Sequence, residues 1–231
     1  ERLPARVGEI IRLHYFEGLS VAEIADRLRI SAGTVKWQLS DGRKRIRKDR
    51  RQKTMNITVY LGANEGNDPA LKTAVQELGS WIGESGNTLV YGGSKTGLMG
   101  ELADSTLAAD GRVIGIEAQC FVDEDVQHEG LTELHVTPTM AERKAKMIEL
   151  SDAYVALPGG PGTLDEISEV ICLARLGIEN KACVLFDTDG YYQALKKIFE
   201  EMVEVGFSEK EDFKRVLVSA DLDEIERFIE Q

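Results

Sequence analysis

The residues Pro158-Gly159-Gly160-Pro161-Gly162-Thr163-Leu164-Asp165-Glu166 carry the clearest chemistry in this chain. Glycine and proline clear side chains from a turn, Thr163 can cap a helix that starts there, and an acid, Glu166, sits beyond it. The apolar run before them, 152–157, reads as a buried strand, and apolar residues recur at helical spacing from Leu164 onward. The glycines therefore fall at a strand-to-helix junction. Bare N–H groups at a helix N-terminus, with the positive end of the helix dipole behind them, favour a phosphate-like anion. The plainer alternative is a tight turn with Glu166 as a favourable acid near a helix start. The density of Gly and Pro weighs against it.

Two more glycine loops come after apolar strands. Tyr91-Gly92-Gly93-Ser94-Lys95-Thr96-Gly97-Leu98-Met99-Gly100 reads as a second anion cradle at a strand-to-helix corner. Lys95 lacks the spacing of a Walker-A lysine, and Gly62-Ala63-Asn64-Glu65-Gly66 is not the Gly-x-Gly-x-x-Gly of a dinucleotide site. Met140-Ala141-Glu142-Arg143-Lys144, with Lys146, gathers cations in acidic surroundings. That cluster suits an anionic ligand, or equally a solvated helix face paired with Glu142 and Glu149.

These loops need elements to hold them. Strands and helices are expected to alternate at 57–61, 71–83, 88–91, 98–109, 113–116, 133–136, 141–150, 153–157, 164–176, 182–186, 191–205, 216–218 and 222–229. This order predicts an α/β fold, a doubly wound parallel sheet with helices on both faces and its site at the carboxyl ends of the strands.

Charge divides the 231 residues into two parts. Residues 1–53 hold 14 Lys and Arg against 7 Asp and Glu, leaving 14 against 33 for 54–231. A basic module of 1–53 and an acidic domain of 54–231 are expected, the first suited to a polyanion and the second repelling one except through a local pocket. Cys120, Cys172 and Cys183 have no metal-ligand or disulfide spacing and are expected as buried thiols. No apolar run is long enough to span a bilayer and no secretory pattern opens the chain, so no membrane partner and a cytoplasmic location are expected.

Within the basic module, Val7, Ile10, Ile11 and Leu13 form a helical stripe that Gly18 ends. Ser20-Val21-Ala22-Glu23 is a capping box for a short second helix, and Ser31 can cap a third running through Val35 and Leu39 into a basic tail. The outline is a small all-α helix-turn-helix domain. Leu3-Pro4, 15–25 and Ser31-Ala32-Gly33-Thr34-Val35-Lys36 resemble region 4 of sigma-70-type factors. That resemblance implies a third helix in the major groove of duplex DNA, with Ser31, Thr34, Lys36, Trp37, Gln38 and Arg43 as DNA-binding residues. Trp37-Gln38 depart from the small residue and Arg common in such helices, and Asp41-Gly42 interrupt the basic run. An Asp facing phosphates is repulsive, and a helical Gly costs ~1 kcal/mol relative to Ala. A three-helix module kept for packing or oligomerisation is the alternative.

In the acidic domain, the 91–100 loop, Met140-Ala141-Glu142-Arg143-Lys144 and the 158–166 loop, in that order, resemble the LOG ("Lonely Guy") family of cytokinin riboside 5′-monophosphate phosphoribohydrolases. The resemblance implies a Rossmann-like fold, a homodimer, no metal or redox cofactor, and hydrolysis of an AMP-like nucleoside 5′-monophosphate. It assigns catalysis to Arg143 and Glu166, and substrate binding to Gly62, Ala63, Gly92, Gly93, Met99, Met140, Lys144, Gly159, Gly160, Pro161, Gly162 and Thr163. The chemistry suits these roles. A departing base leaves an oxocarbenium-like ribosyl centre that a carboxylate can stabilise while it orients or deprotonates water, and an Arg can hold phosphate or ribose oxygens. Asp165 points about 100° away from Glu166 around a helix and is not its partner. Glu117 stands where relatives commonly place an apolar residue, and is either a contact near the base or a polar strand end. The alternative from another class is a nucleotide-sensing DNA-binding regulator without turnover.

Overall fold

The computed structural model describes residues 4–49, 54–122 and 126–231, with backbone alone over 43–49. The chain divides into two compact units, 1–53 and 54–231.

Among its described residues the first unit has three helices, α1 (Ala5–Tyr15), α2 (Val21–Leu28) and α3 (Ala32–Asp49). The α2 start has both halves of the capping box: Ser20 Oγ accepts from the Glu23 amide, and Glu23 Oε2 accepts from the Ser20 amide at 2.8 Å. Ser31 Oγ accepts from the Thr34 amide at 3.0 Å and starts α3. Val7, Ile10, Ile11, Leu13, Ile24, Val35 and Leu39 form the core. Gly42 lies in this interior. A Cβ there would collide with Ile11 Cδ1 and sit 2.7 Å from Val7 Cγ1, so its role is close approach of α3 to α1.

The second unit runs β1 (Asn56–Tyr60), α4 (Pro69–Glu84), β2 (Thr88–Tyr91), α5 (Gly97–Ala108), β3 (Arg112–Ala118), α6 (Gln119–Val122) and β4 (Glu133–Thr137). It continues with α7 (Met140–Leu150), β5 (Ala153–Ala156), α8 (Pro161–Arg175), β6 (Ala182–Phe186), α9 (Gln193–Glu204), β7 (Val216–Ser219) and α10 (Leu222–Ile229). Seven parallel strands lie in the order β4-β3-β2-β1-β5-β6-β7. This is the doubly wound α/β sheet expected from the alternating pattern. Side-chain alternation sorts the strands between two cores: Ile57, Val59, Val113 and Val155 pack with α4 and α5 residues, whereas Tyr60, Ile114, Ile116 and Tyr154 pack with Met147, Ile167 and Ile171. The order reverses between β1 and β5, so a crevice opens at their carboxyl ends.

The cysteines differ from expectation: Cys183 is buried in β6, but Cys120 and Cys172 are exposed. These two lie on α6 and α8, each of which has an outward face, and neither thiol falls on the inner one. No described helix is long and apolar enough to cross a membrane.

Candidate active site

The loops after β1 and β5 meet at the crevice. A Cβ on Gly62 would lie 3.7 Å from the Gly159 Cα and 3.8 Å from the Gly160 nitrogen, so two bare backbones face each other. Helix α8 begins at Pro161, three residues before the expected start at Leu164, with Gly160 as an N-cap that has no side chain to offer. Proline suits the first helical position because its fixed φ is already helical and no amide is lost. Thr163 is consequently inside the first turn and is not the cap expected from sequence. Its Oγ1 packs where a Gly159 Cβ would go, which makes glycine obligatory at 159. The amides of Gly162 and Thr163 have no partner within the helix. A Cβ on Gly160 or Gly162 would meet nothing within 4 Å, so the helix start faces open space.

The 92–100 corner is built differently from the second open cradle expected there. Lys95 N–H donates to the Val126 carbonyl at 2.8 Å, Thr96 N–H to Ser94 Oγ at 3.0 Å, and Leu98 N–H to the Ala63 carbonyl at 3.2 Å. Those amides are spent inside the protein. Gly97, at φ +54°, lies so close to the Ala63 carbonyl that any Cβ would overlap it. The corner's other task is to admit a side chain: a Cβ on Gly92 would collide with Arg143 Nη2 and sit 3.3 Å from Met99 Sδ.

Arg143 enters that space from α7, whose N-cap Thr139 accepts from the Glu142 amide at 3.2 Å. Its Nε donates to the Ile116 carbonyl at 2.9 Å and its Nη1 to Glu166 Oε1 at 2.8 Å. The side chains of Arg143 and Glu166 are 7% and 12% exposed. Burial pushes the Glu166 carboxyl up against the opposing pull of the guanidinium, and the net direction is upward. A base raised toward neutrality is better matched to accepting a proton at neutral pH.

Glu117 is buried at 2% exposure, and its Oε2 has no hydrogen-bond partner. A Cβ on Gly93 would lie 3.1 Å from that oxygen, so the carboxyl sits beneath the Gly93 turn.

The structure thus brings Arg143, Glu166, Gly92 and Met99 together, and separately faces Gly62 onto Gly159 and Gly160. Lys144 points elsewhere: its Nζ is held by Asp165 Oδ2 at 2.8 Å and Glu169 Oε2 at 2.9 Å. Met140 is exposed at the start of α7. Sequence reading missed Tyr191 and Tyr192, whose hydroxyls donate to the Gly159 and Leu157 carbonyls at 2.6 and 2.7 Å. In the first unit Ser31, Lys36 and Trp37 are exposed along α3, Trp37 at 65%, while Thr34 and Gln38 are half-buried. The Arg43 side chain lies outside the described residues.

A protein-family profile described as "Possible lysine decarboxylase" matches residues 99–228, and one described as "Sigma-70, region 4" matches residues 1–46. A cytokinin riboside 5′-monophosphate phosphoribohydrolase of Rhodococcoides fascians is 40% identical over 169 residues, covering 73% of this chain and 85% of that protein. One of Arabidopsis thaliana is 38% identical over 155 residues, covering 67% of this chain and 73% of that protein. Among solved structures, the molybdenum cofactor carrier protein of Chlamydomonas reinhardtii superposes with a TM-score of 0.60 at 22% identity, over 78% of this chain and 100% of that one. At that identity the likeness is one of fold alone.

Proposed function

The chain belongs to the LOG family of cytokinin riboside 5′-monophosphate phosphoribohydrolases, and from that premise we propose that Arg143 and Glu166 hydrolyse the N-glycosidic bond of a purine nucleoside 5′-monophosphate. The products are the free base and ribose 5-phosphate. The observation that carries this reading is the 2.8 Å Arg143–Glu166 pair in the domain whose 160–163 helix start is open. The 5′-phosphate sits on the amides of Gly160, Gly162 and Thr163, where backbone donors and the α8 dipole favour it. The bond from ribose C1′ to the base then breaks with charge building on the ribosyl centre. Glu166 stabilises that charge and takes a proton from water as the water oxygen bonds to C1′; the departing base takes a proton from solvent, and Glu166 returns its own to solvent, so one water is consumed. Arg143 fixes one oxygen of Glu166 and leaves the other for water. Base release from AMP by the wild type, Glu166→Ala and Arg143→Ala proteins tests the reading; equal release from all three overturns it.

The preferred substrate is AMP or an N6-modified AMP, and the assembly is a homodimer in the cytoplasm. Exposed Leu164, Leu176 and Ile178, on and just after α8, provide apolar surface for a second copy, which light scattering would count. Residues 1–53 bind duplex DNA through α3, a reading supported by the sigma-70 region 4 match and the exposed Lys36 and Trp37. Retention on DNA that falls steeply with rising salt is the expected result, and no shift at ~50 mM salt removes it.

A further inference from the structure

Cradle amides are useful only while they point at the ligand. The peptide between Gly159 and Gly160 joins two glycines, which populate both signs of φ, so intrinsic backbone preference does not by itself fix the orientation of this unit. A flip would turn a carbonyl oxygen, instead of an N–H, toward a bound anion. Because a trans peptide holds its C=O and the next N–H antiparallel, whatever grips the Gly159 carbonyl also aims the Gly160 amide.

The grip comes from the loop after β6. Tyr191 Oη donates to the Gly159 carbonyl at 2.6 Å, and Tyr192 Oη to the Leu157 carbonyl at 2.7 Å. The loop is itself fastened: Asp187 Oδ1 accepts from the Tyr192 amide at 2.7 Å, and the two rings pack edge to face at 5.0 Å. The tyrosines differ in consequence. The residue after Gly159 is Gly160, which has an amide to aim, whereas the residue after Leu157 is Pro158, which has none.

We propose that Tyr191 is a positioning residue that locks the 159–160 peptide so that the Gly160 N–H addresses the phosphate of the bound nucleotide. Tyr192 secures the strand end and does not aim a donor. This inference rests on the phosphate placement proposed above, and its test separates the two. AMP, inorganic phosphate and adenosine are titrated by calorimetry into wild type, Tyr191→Phe and Tyr192→Phe, with base release measured in parallel. Each Phe keeps the ring and removes only the hydroxyl.

The expected result is AMP and phosphate binding weakened about tenfold in Tyr191→Phe, with adenosine unaffected, as for loss of one well-placed hydrogen bond. Tyr192→Phe should lower the melting temperature and leave phosphate affinity within about twofold, since only a buried carbonyl loses its donor. Unchanged AMP affinity in Tyr191→Phe, equal losses in both variants, or an equal loss for adenosine overturns the proposal. Wild-type protein that binds AMP but releases no base defeats the hydrolytic reading and leaves the positioning role standing. Wild-type protein that binds neither AMP nor phosphate defeats both.

Discussion

Arg143 donates from Nε to the Ile116 carbonyl at 2.9 Å and from Nη1 to Glu166 Oε1 at 2.8 Å, so a single guanidinium ties the end of β3 to the second turn of α8. These elements lie on opposite sides of the point where strand order reverses. The pair is therefore a strut across the crevice as well as a chemical couple. A strut held at both ends has little rotamer freedom to lose on meeting a transition state.

The energetics of the pair reflect its burial. Arg143→Ala leaves a buried carboxyl without its partner and should cost about 3 kcal/mol at neutral pH. The Glu166 pKa is already raised by burial and rises further without Arg143. An acid with a raised folded pKa loses stability as pH climbs toward that value, so the Arg143→Ala penalty should shrink in acid. Glu166→Gln keeps an oxygen for Arg143 and should cost about 1 kcal/mol. Denaturant melts of both single variants and the double variant check this; strict additivity would show that the two side chains are uncoupled.

Gly92→Ala places a methyl group against Arg143 Nη2 and Met99 Sδ. The guanidinium can yield only by loosening its bonds to Ile116 or Glu166. Activity should fall at least about tenfold, the scale of a small misplacement in a catalytic pair, while stability changes by only about 1–2 kcal/mol. Full activity alongside an intact melt would show that the guanidinium has room to spare.

Gly42→Ala sets two effects of opposite sign against each other. Alanine favours the helix by about 1 kcal/mol. Its Cβ would meet Ile11 Cδ1 and lie 2.7 Å from Val7 Cγ1, and overpacking of this kind costs about 1–3 kcal/mol. Packing should win, so amide exchange in α1 and α3 should quicken. Slower exchange would mean that the interface has slack.

Much of this architecture was legible because apolar periodicity reports burial directly. The run Asn56–Tyr60 and the alternation of Ile57 and Val59 against Tyr60 could hardly serve a helix. The open helix start at 160–163 was foreshadowed by glycine density, and the coupling of Arg143 with Glu166 by the family resemblance. What escaped depends on three-dimensional neighbours. The 92–100 glycines read as an anion cradle, yet the Lys95, Thr96 and Leu98 amides are spent on Val126, Ser94 and Ala63. Gly42 reads as a helix defect until Val7 and Ile11 lie against it. Lys144 reads equally as a pocket cation or as one paired with Glu142 and Glu149 along its own helix, and its acids prove to be Asp165 and Glu169 of α8. Tyr191 and Tyr192 act on carbonyls more than thirty residues earlier in the chain, a relation with no local signature.

Glu117 supplies a pH test. Its carboxyl is buried beneath Gly93, with Oε2 unpartnered, and burial raises its pKa from 4.5 to about 7. Arg143 and the Ala118 amide pull the other way without prevailing, and the nearby Tyr91 phenol is itself held neutral by burial. Because the folded protein binds this proton more tightly than the unfolded chain does, Glu117 costs nothing in acid. It costs progressively more as pH rises from 4.5 to about 7. The interval sets a ceiling of about 3 kcal/mol. Gln cannot titrate, so Glu117→Gln should be more stable than wild type at pH ~8, with a gap that narrows by roughly 1–2 kcal/mol by pH ~5. Melts of the two proteins across this range give the slope directly. A gap that stays constant with pH would mean that Glu117 ionises in the fold as freely as in water, and that a partner for Oε2 exists in solution.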